Sequence, residues 1–209
     1  DILVIRFEFP YMSKRRLGKT SFPDKVPFLC AFYKDIYHKI KKIFPKKDIW
    51  IGGKSMGGRV SAIISKEINV SGVIVLGYPF HPINNKDKLR LDCLQSDGPS
   101  ILIIQGTRDK FGSINEVKKY NLNEKNSIFW LEDGDHSFKT LKKSKNNSDD
   151  SIKEAYFKLI LNKPETKDTY TSGEKVFSRK YNRWFTKKEF DELLNCLLYT
   201  SPSPRDVEE

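Results

Sequence analysis

The sequence predicts an α/β fold with a mostly parallel sheet covered by helices on both faces. Two observations carry this. Short unbroken apolar runs recur at residues 70–76, 100–105 and 128–131. Segments of helical periodicity alternate with them, most clearly at 28–44 and 56–67. Strands buried on both faces read as continuous Val/Ile/Leu runs, and their connections as helices. The 209 residues and a hydrophobic fraction of 38% suit one domain with a core of its own.

Along the chain, residues 2–9 (Ile-Leu-Val-Ile-Arg-Phe-Glu-Phe) read as a strand closed by Pro10. A basic loop follows over 11–27. Phe28, Leu29, Phe32, Ile36, Ile40 and Ile43 then share one helical face, and Pro45 stops that helix. Residues 48–51 form a short strand running into Gly52-Gly53. Residues 140–150 are a polar loop, 151–161 resume helical spacing, 163–175 read as a linker, and 187–194 as a short terminal helix. The expected domain spans 1–162, with an extension over 163–195. Residues 196–209 begin Cys-Leu-Leu-Tyr-Thr-Ser-Pro-Ser-Pro-Arg-Asp, resemble the in-frame translation of a sequencing-library adaptor, and are left out of the fold.

Composition narrows the function classes. The net charge is +11, but Lys outnumbers Arg 29 to 9 and the lysines are scattered. Phosphate recognition favours the planar fork of arginine, so no nucleic-acid partner is expected. No apolar run approaches the roughly 20 residues of a membrane helix, so no membrane partner is expected. The three cysteines, Cys30, Cys93 and Cys196, are odd in number and lack paired spacing. Neither a disulfide framework nor zinc is indicated, and a cytoplasmic location is expected.

The motif that carries chemistry is Gly53-Lys54-Ser55-Met56-Gly57-Gly58, a G-x-S-x-G placed after a strand and before a helix. A serine on so sharp a bend takes a strained backbone that projects its hydroxyl. Gly53 and Gly57 are expected to lack a Cβ because one would collide across the turn. The N–H of Met56, at the helix N-terminus, faces a developing oxyanion. A phosphate-binding G-x-x-x-x-G-K-[ST] would need glycine where this chain has Asp48, so Gly53-Lys54-Ser55 does not read as one.

A nucleophilic serine needs a base, and the base needs an acid. Asp109 follows the strand at 100–105 and His136 follows the strand at 128–131, in the order Ser, Asp, His. Of the other histidines, His38 sits on the long helix as a surface residue. His81 follows the strand at 70–76 and is assigned a structural or substrate-lining place, with Lys54 and Tyr78 also expected to line substrate. Asp133, Asp135 and His136 make a weak metal-ligand set, and no metal or other cofactor is expected.

These motifs, with Phe7-Glu8-Phe9-Pro10-Tyr11-Met12, Gly77-Tyr78-Pro79-Phe80-His81-Pro82, Gln105-Gly106-Thr107-Arg108-Asp109 and Gly134-Asp135-His136-Ser137-Phe138, resemble one small α/β-hydrolase family. It includes the testis-expressed (Tex) proteins and the third subunit of the NSL chromatin complex, and looks like the small dienelactone-hydrolase-type enzymes. The resemblance spans about residues 1–162 and implies the same Ser55, Asp109 and His136. Members carry a His-Gly-Ala-Gly-Gly-type loop ahead of the strand matching 2–9, which supplies a second oxyanion donor. The resemblance places that loop and the first strands before Asp1, and these residues alone are expected to be inactive or poorly folded, whereas the full gene product is expected to be competent.

The expected activity is hydrolysis of an ester or thioester through an acyl-enzyme on Ser55. Only 23 residues, 81–103, precede the end of the next strand, which leaves no room for a sizeable lid and favours small or exposed substrates. The rival is a catalytically silent interaction module on the same fold.

Overall fold

In the computed structural model, the described residues are 3–141, 143–144 and three later strand segments, 169–172, 175–178 and 183–186. The expected helices at 151–161 and 187–194 lie outside them. The order begins α1 (Pro10–Arg16), α2 (Val26–Ile43), β1 (Trp50–Lys54), α3 (Met56–Ile64) and β2 (Gly72–Leu76). It continues α4 (Asp92–Gln95), β3 (Ile101–Gly106), α5 (Ile114–Val117) and β4 (Ser127–Leu131). Strands β5 (Thr169–Ser172), β6 (Lys175–Ser178) and β7 (Arg183–Thr186) follow.

Strands β1 to β4 form one parallel sheet in the order β1-β2-β3-β4. Every residue of β3 is buried. Successive side chains of a strand point to opposite faces, so both faces of the sheet are covered at β3. The core joins Val60 and Ile64 of α3 to Val73 and Val75 of β2, Ile103 of β3, and Leu29 of α2. No helix among the described residues is long and apolar enough to cross a membrane.

Several boundaries differ from expectation for identifiable reasons. Residues 3–9 join no sheet. Instead Phe7 and Phe9 pack into an aromatic cluster with Phe32 and Tyr33 of α2, where the Phe7 and Tyr33 ring centroids lie 4.7 Å apart. Pro10 starts a helix rather than ending a strand. Its fixed φ and missing N–H suit the first helical position. Pro27 acts likewise at the start of α2. Strand β1 runs through Gly52 and Gly53, and the Tyr33 hydroxyl both donates to the Gly52 carbonyl at 2.8 Å and accepts from its N–H at 3.0 Å.

The expected linker at 163–175 also differs. β5, β6 and β7 form an antiparallel three-stranded sheet. Their sequences, Thr-Tyr-Thr-Ser, Lys-Val-Phe-Ser and Arg-Trp-Phe-Thr, are rich in the β-branched and aromatic residues that strands favour.

The bend between β1 and α3 also revises the expected glycine pattern. A Cβ on Gly53 would lie 2.7 Å from the Gly57 carbonyl carbon, closer than real atoms come. A Cβ on Gly58 would strike Val75 of β2 and the Gly53 oxygen. A Cβ on Gly57 would meet only the Phe9 ring, at an ordinary 4.0 Å. The close approach therefore needs glycine at 53 and 58, and not at 57. We predict that Gly58→Ala lowers unfolding stability by about 1–3 kcal/mol through overpacking. Gly57→Ala is expected to leave it unchanged or raise it by at most about 1 kcal/mol. Urea unfolding of the two variants separates them, and equal losses would contradict this packing.

Candidate active site

Ser55 sits between the last residue of β1 and the first of α3, with φ 52° and ψ −116°. Left-handed backbone is uncommon for a residue with a Cβ and is held only where surrounding structure insists. Here the insistence comes from Ser55 N–H donating to the Leu76 carbonyl of β2 at 2.9 Å, and from its own carbonyl accepting the Arg59 N–H at 3.0 Å. Met56 opens the helix, so its N–H has no intrahelical carbonyl to take.

Asp109 lies in the turn after β3 and is fully buried. A buried carboxylate is costly unless its oxygens are satisfied. Oδ1 accepts the Phe111 N–H at 2.8 Å, and Oδ2 accepts from Gln105 Nε2 at 2.9 Å. Oδ2 also lies 2.7 Å from His136 Nδ1. An ionised carboxylate can only accept, so Nδ1 carries the proton. The other ring nitrogen, Nε2, is then an acceptor, and it lies 2.9 Å from Ser55 Oγ.

His136 is held from several sides. Its ring packs on Phe111 with centroids 4.6 Å apart. Beneath it, a Cβ on Gly77 would lie 3.2 Å from the ring, and Gly77 itself has φ 67°. The loop is shaped by Asp135, whose Oδ1 accepts the N–H groups of Ser137 at 2.8 Å and Lys139 at 2.9 Å. Asp133 takes left-handed φ, and its N–H donates to Thr107 Oγ1 at 2.9 Å. The Asp135 carboxylate thus serves its own loop.

The structure brings together Ser55, Asp109 and His136, with Met56 beside them. Of the three expected lining residues, it buries Tyr78 and His81 and sets Lys54 beside His136. Lys54 turns its ammonium onto the main-chain carbonyl of His136 at 2.5 Å and lies 4.5 Å from the Phe138 ring centroid. Burial lowers its pKa to about 8, while Asp109 and Asp135 pull the other way. Tyr78 is fully buried, donates to the Arg90 carbonyl at 2.8 Å and lies 3.1 Å from Cys93 Sγ. Burial raises its phenol well above the usual value. His81 is also fully buried, with Nδ1 3.0 Å from the Pro82 carbonyl and Nε2 3.7 Å from Glu116. Neither side chain reaches solvent. His38 is exposed on α2.

Gln105 is the residue the sequence reading missed. It is fully buried at the end of β3. Its Oε1 accepts the Tyr78 N–H at 2.7 Å, and its Nε2 reaches Asp109 and the carbonyls of Tyr78 and Gly112. It therefore fastens the acid to the segment after β2. The available signal was an amide side chain closing the otherwise apolar run Ile101-Leu102-Ile103-Ile104.

Residues 1–161 match the family described as an alpha/beta hydrolase domain. Among solved structures, the chain is similar to an alpha-beta serine hydrolase homologue from Coxiella burnetii at 18% identity. That match covers 56% of this chain and 55% of the other, with a TM-score of 0.46. It is also similar to the esterase domain of a Rhodothermus marinus protein at 18% identity, covering 54% and 57%, with a TM-score of 0.37. An uncharacterised protein from Bacillus cereus ATCC 10987 matches at 21% identity over 73% and 54%, with a TM-score of 0.42. The chain spans about half the length of these structures. By the family match over most of its length, the chain belongs to the alpha/beta hydrolase domain family.

Proposed function

We propose that the protein is a serine hydrolase that cleaves an ester or thioester of a small or exposed substrate through an acyl-enzyme on Ser55. The observation that carries this reading is the continuous path from Ser55 Oγ to His136 Nε2 at 2.9 Å and from His136 Nδ1 to Asp109 Oδ2 at 2.7 Å. The motifs quoted above support a place near the dienelactone-hydrolase-type group, and the short segment between β2 and β3 supports a site without a large lid.

The steps follow from the geometry. His136 Nε2 accepts the Ser55 hydroxyl proton as Oγ attacks the acyl carbon. The resulting oxyanion is met by the Met56 N–H, an interaction of a kind whose loss typically costs about 10²–10³ in rate. Collapse expels the alcohol or thiol, which takes the proton from Nε2. Water then attacks the acyl-Ser55, giving its proton to His136, and the acid leaves as Ser55 recovers its hydrogen. Asp109 holds the tautomer that leaves Nε2 free to accept, and its charge stabilises the transient imidazolium.

A fluorophosphonate probe is expected to label the wild-type protein on Ser55 and to leave Ser55→Ala unlabelled. A folded wild-type protein that resists the probe would contradict the assignment. Asp109→Asn is expected to lower kcat on a p-nitrophenyl ester by about 10⁴ with the fold intact, because the wrong imidazole tautomer is then favoured. Gln105→Leu is expected to cost about 1–3 kcal/mol in urea unfolding, since it strands the Tyr78 N–H. It should also lower kcat more than it changes KM. Wild-type stability in that variant would show that the amide network does not hold the acid.

A further inference from the structure

Ser55 and His136 are joined twice. One link is the hydrogen bond between the reacting groups, Oγ and Nε2. The other runs from the residue before the serine to the backbone of the histidine, Lys54 Nζ to the His136 carbonyl at 2.5 Å. We propose that Lys54 is a positioning residue that keeps the imidazole of His136 on the nucleophile by anchoring the main chain of the base. The kinetic part of this inference rests on the proposed hydrolase function.

The two links behave differently during turnover. The Oγ–Nε2 bond must break and reform as the proton moves and the serine is acylated. The Lys54 link involves no reacting atom and persists throughout. Without it, the hydrogen bond that ties the His136 side chain to the bend after β1 is the one from Nε2 to Ser55 Oγ, which the chemistry consumes. Asp109 would then hold the ring from its Nδ1 side, with Phe111 packed against it.

The surroundings show a site built for a charge. The ammonium lies over the face of Phe138, 4.5 Å from the centroid, a cation–π arrangement. Phe138 is held at φ 66°, a strained conformation for a bulky residue, and its N–H donates to the Asp135 carbonyl at 2.9 Å. The charged and titratable groups facing Lys54 are Asp109 from the turn after β3, and Asp135 and His136 from the loop after β4. Both carboxylates favour the ammonium, yet burial outweighs them and lowers its pKa to about 8.

The sign of that shift matters. A lysine with a folded pKa below its unfolded value of 10.5 is destabilising in its charged form. The cost is full below about pH 8 and is relieved as pH rises toward 10.5. A methionine of similar length would fill the space without that cost. A residue present only for packing would gain from the exchange, whereas a residue that positions the base would lose activity by it.

The test compares full-length wild type with Lys54→Met and Lys54→Arg. For Lys54→Met we expect kcat to fall about 10–100-fold with KM nearly unchanged, as misplaced reacting groups do. We expect its Tm to be unchanged or raised. Wild-type turnover should decline as pH rises through about 8, where the charge-assisted bond weakens, and the Lys54→Met profile should lack that limb. Lys54→Arg, which keeps the cation at alkaline pH, should retain part of kcat. The downfield proton resonance of the His136–Asp109 pair should be sharp in wild type and broadened in Lys54→Met. Wild-type kcat with a sharp resonance in Lys54→Met overturns the proposal. So does a loss of activity matched by a loss of folded protein. Absent turnover and labelling in wild type would instead overturn the hydrolase reading, while the resonance still decides the role of Lys54.

Discussion

Two backbones in contact underlie the site. At the end of β1 the chain reverses into α3 so tightly that Gly53 touches Gly57, and Gly58 rests on Val75 of the neighbouring strand. The residue at the apex, Ser55, has no room to relax out of its left-handed conformation, and its N–H is tied to Leu76. The bend is thus enforced by the sheet through close packing, and it fixes where the hydroxyl stands. Strain of this sort, of order 1–3 kcal/mol per residue, persists only when its surroundings over-determine it.

The second dependence is electrostatic. Asp109 has no contact with solvent, and its oxygens are satisfied by Phe111, Gln105 and His136. Removing any one of these would leave part of a charge unpaired in a low-dielectric interior. The carboxylate therefore organises its neighbours as much as they organise it. Gln105 extends the arrangement to Tyr78 after β2, so the turns following β2 and β3 and the loop after β4 are fastened into one unit. Lys54 adds β1 from the other side. The convergence of these segments at one edge of a parallel sheet agrees with the rule that such sheets place their sites beyond the carboxyl ends of the strands.

Much of this was legible in the sequence, and the gaps have physical causes. Apolar runs such as Ile101–Gly106 announce themselves because burial on both faces demands unbroken hydrophobicity. The G-x-S-x-G bend is local, so spacing alone points to Ser55. The order of Asp109 and His136 along the chain followed from where strands end. By contrast, Pro10 reads equally well as the end of one element and the start of another, and only the packing of Phe9 and Tyr11 decides in favour of α1. The antiparallel pairing of β5 and β6 had a usable signal in their β-favouring residues Tyr170, Thr171, Val176 and Phe177, which polar neighbours obscured.

Side-chain direction was the least legible quantity. Lys54, Tyr78 and His81 all lie near strand ends, where exposure to substrate is a reasonable expectation. Lys54 turns to the His136 carbonyl, Tyr78 to the Arg90 carbonyl, and His81 to the carbonyl of Pro82, with Glu116 3.7 Å from its other nitrogen. No short window of sequence contains both Lys54 and His136. The proposed hydrolysis requires Ser55 to carry the acyl group. Rapid quenching of the protein with p-nitrophenyl acetate, followed by peptide mass spectrometry, measures this directly. One acyl group is expected on the peptide containing Ser55, formed with a burst of nitrophenol and lost on standing. Release of nitrophenol with no adduct at Ser55, or with the adduct on a lysine or cysteine instead, would contradict it.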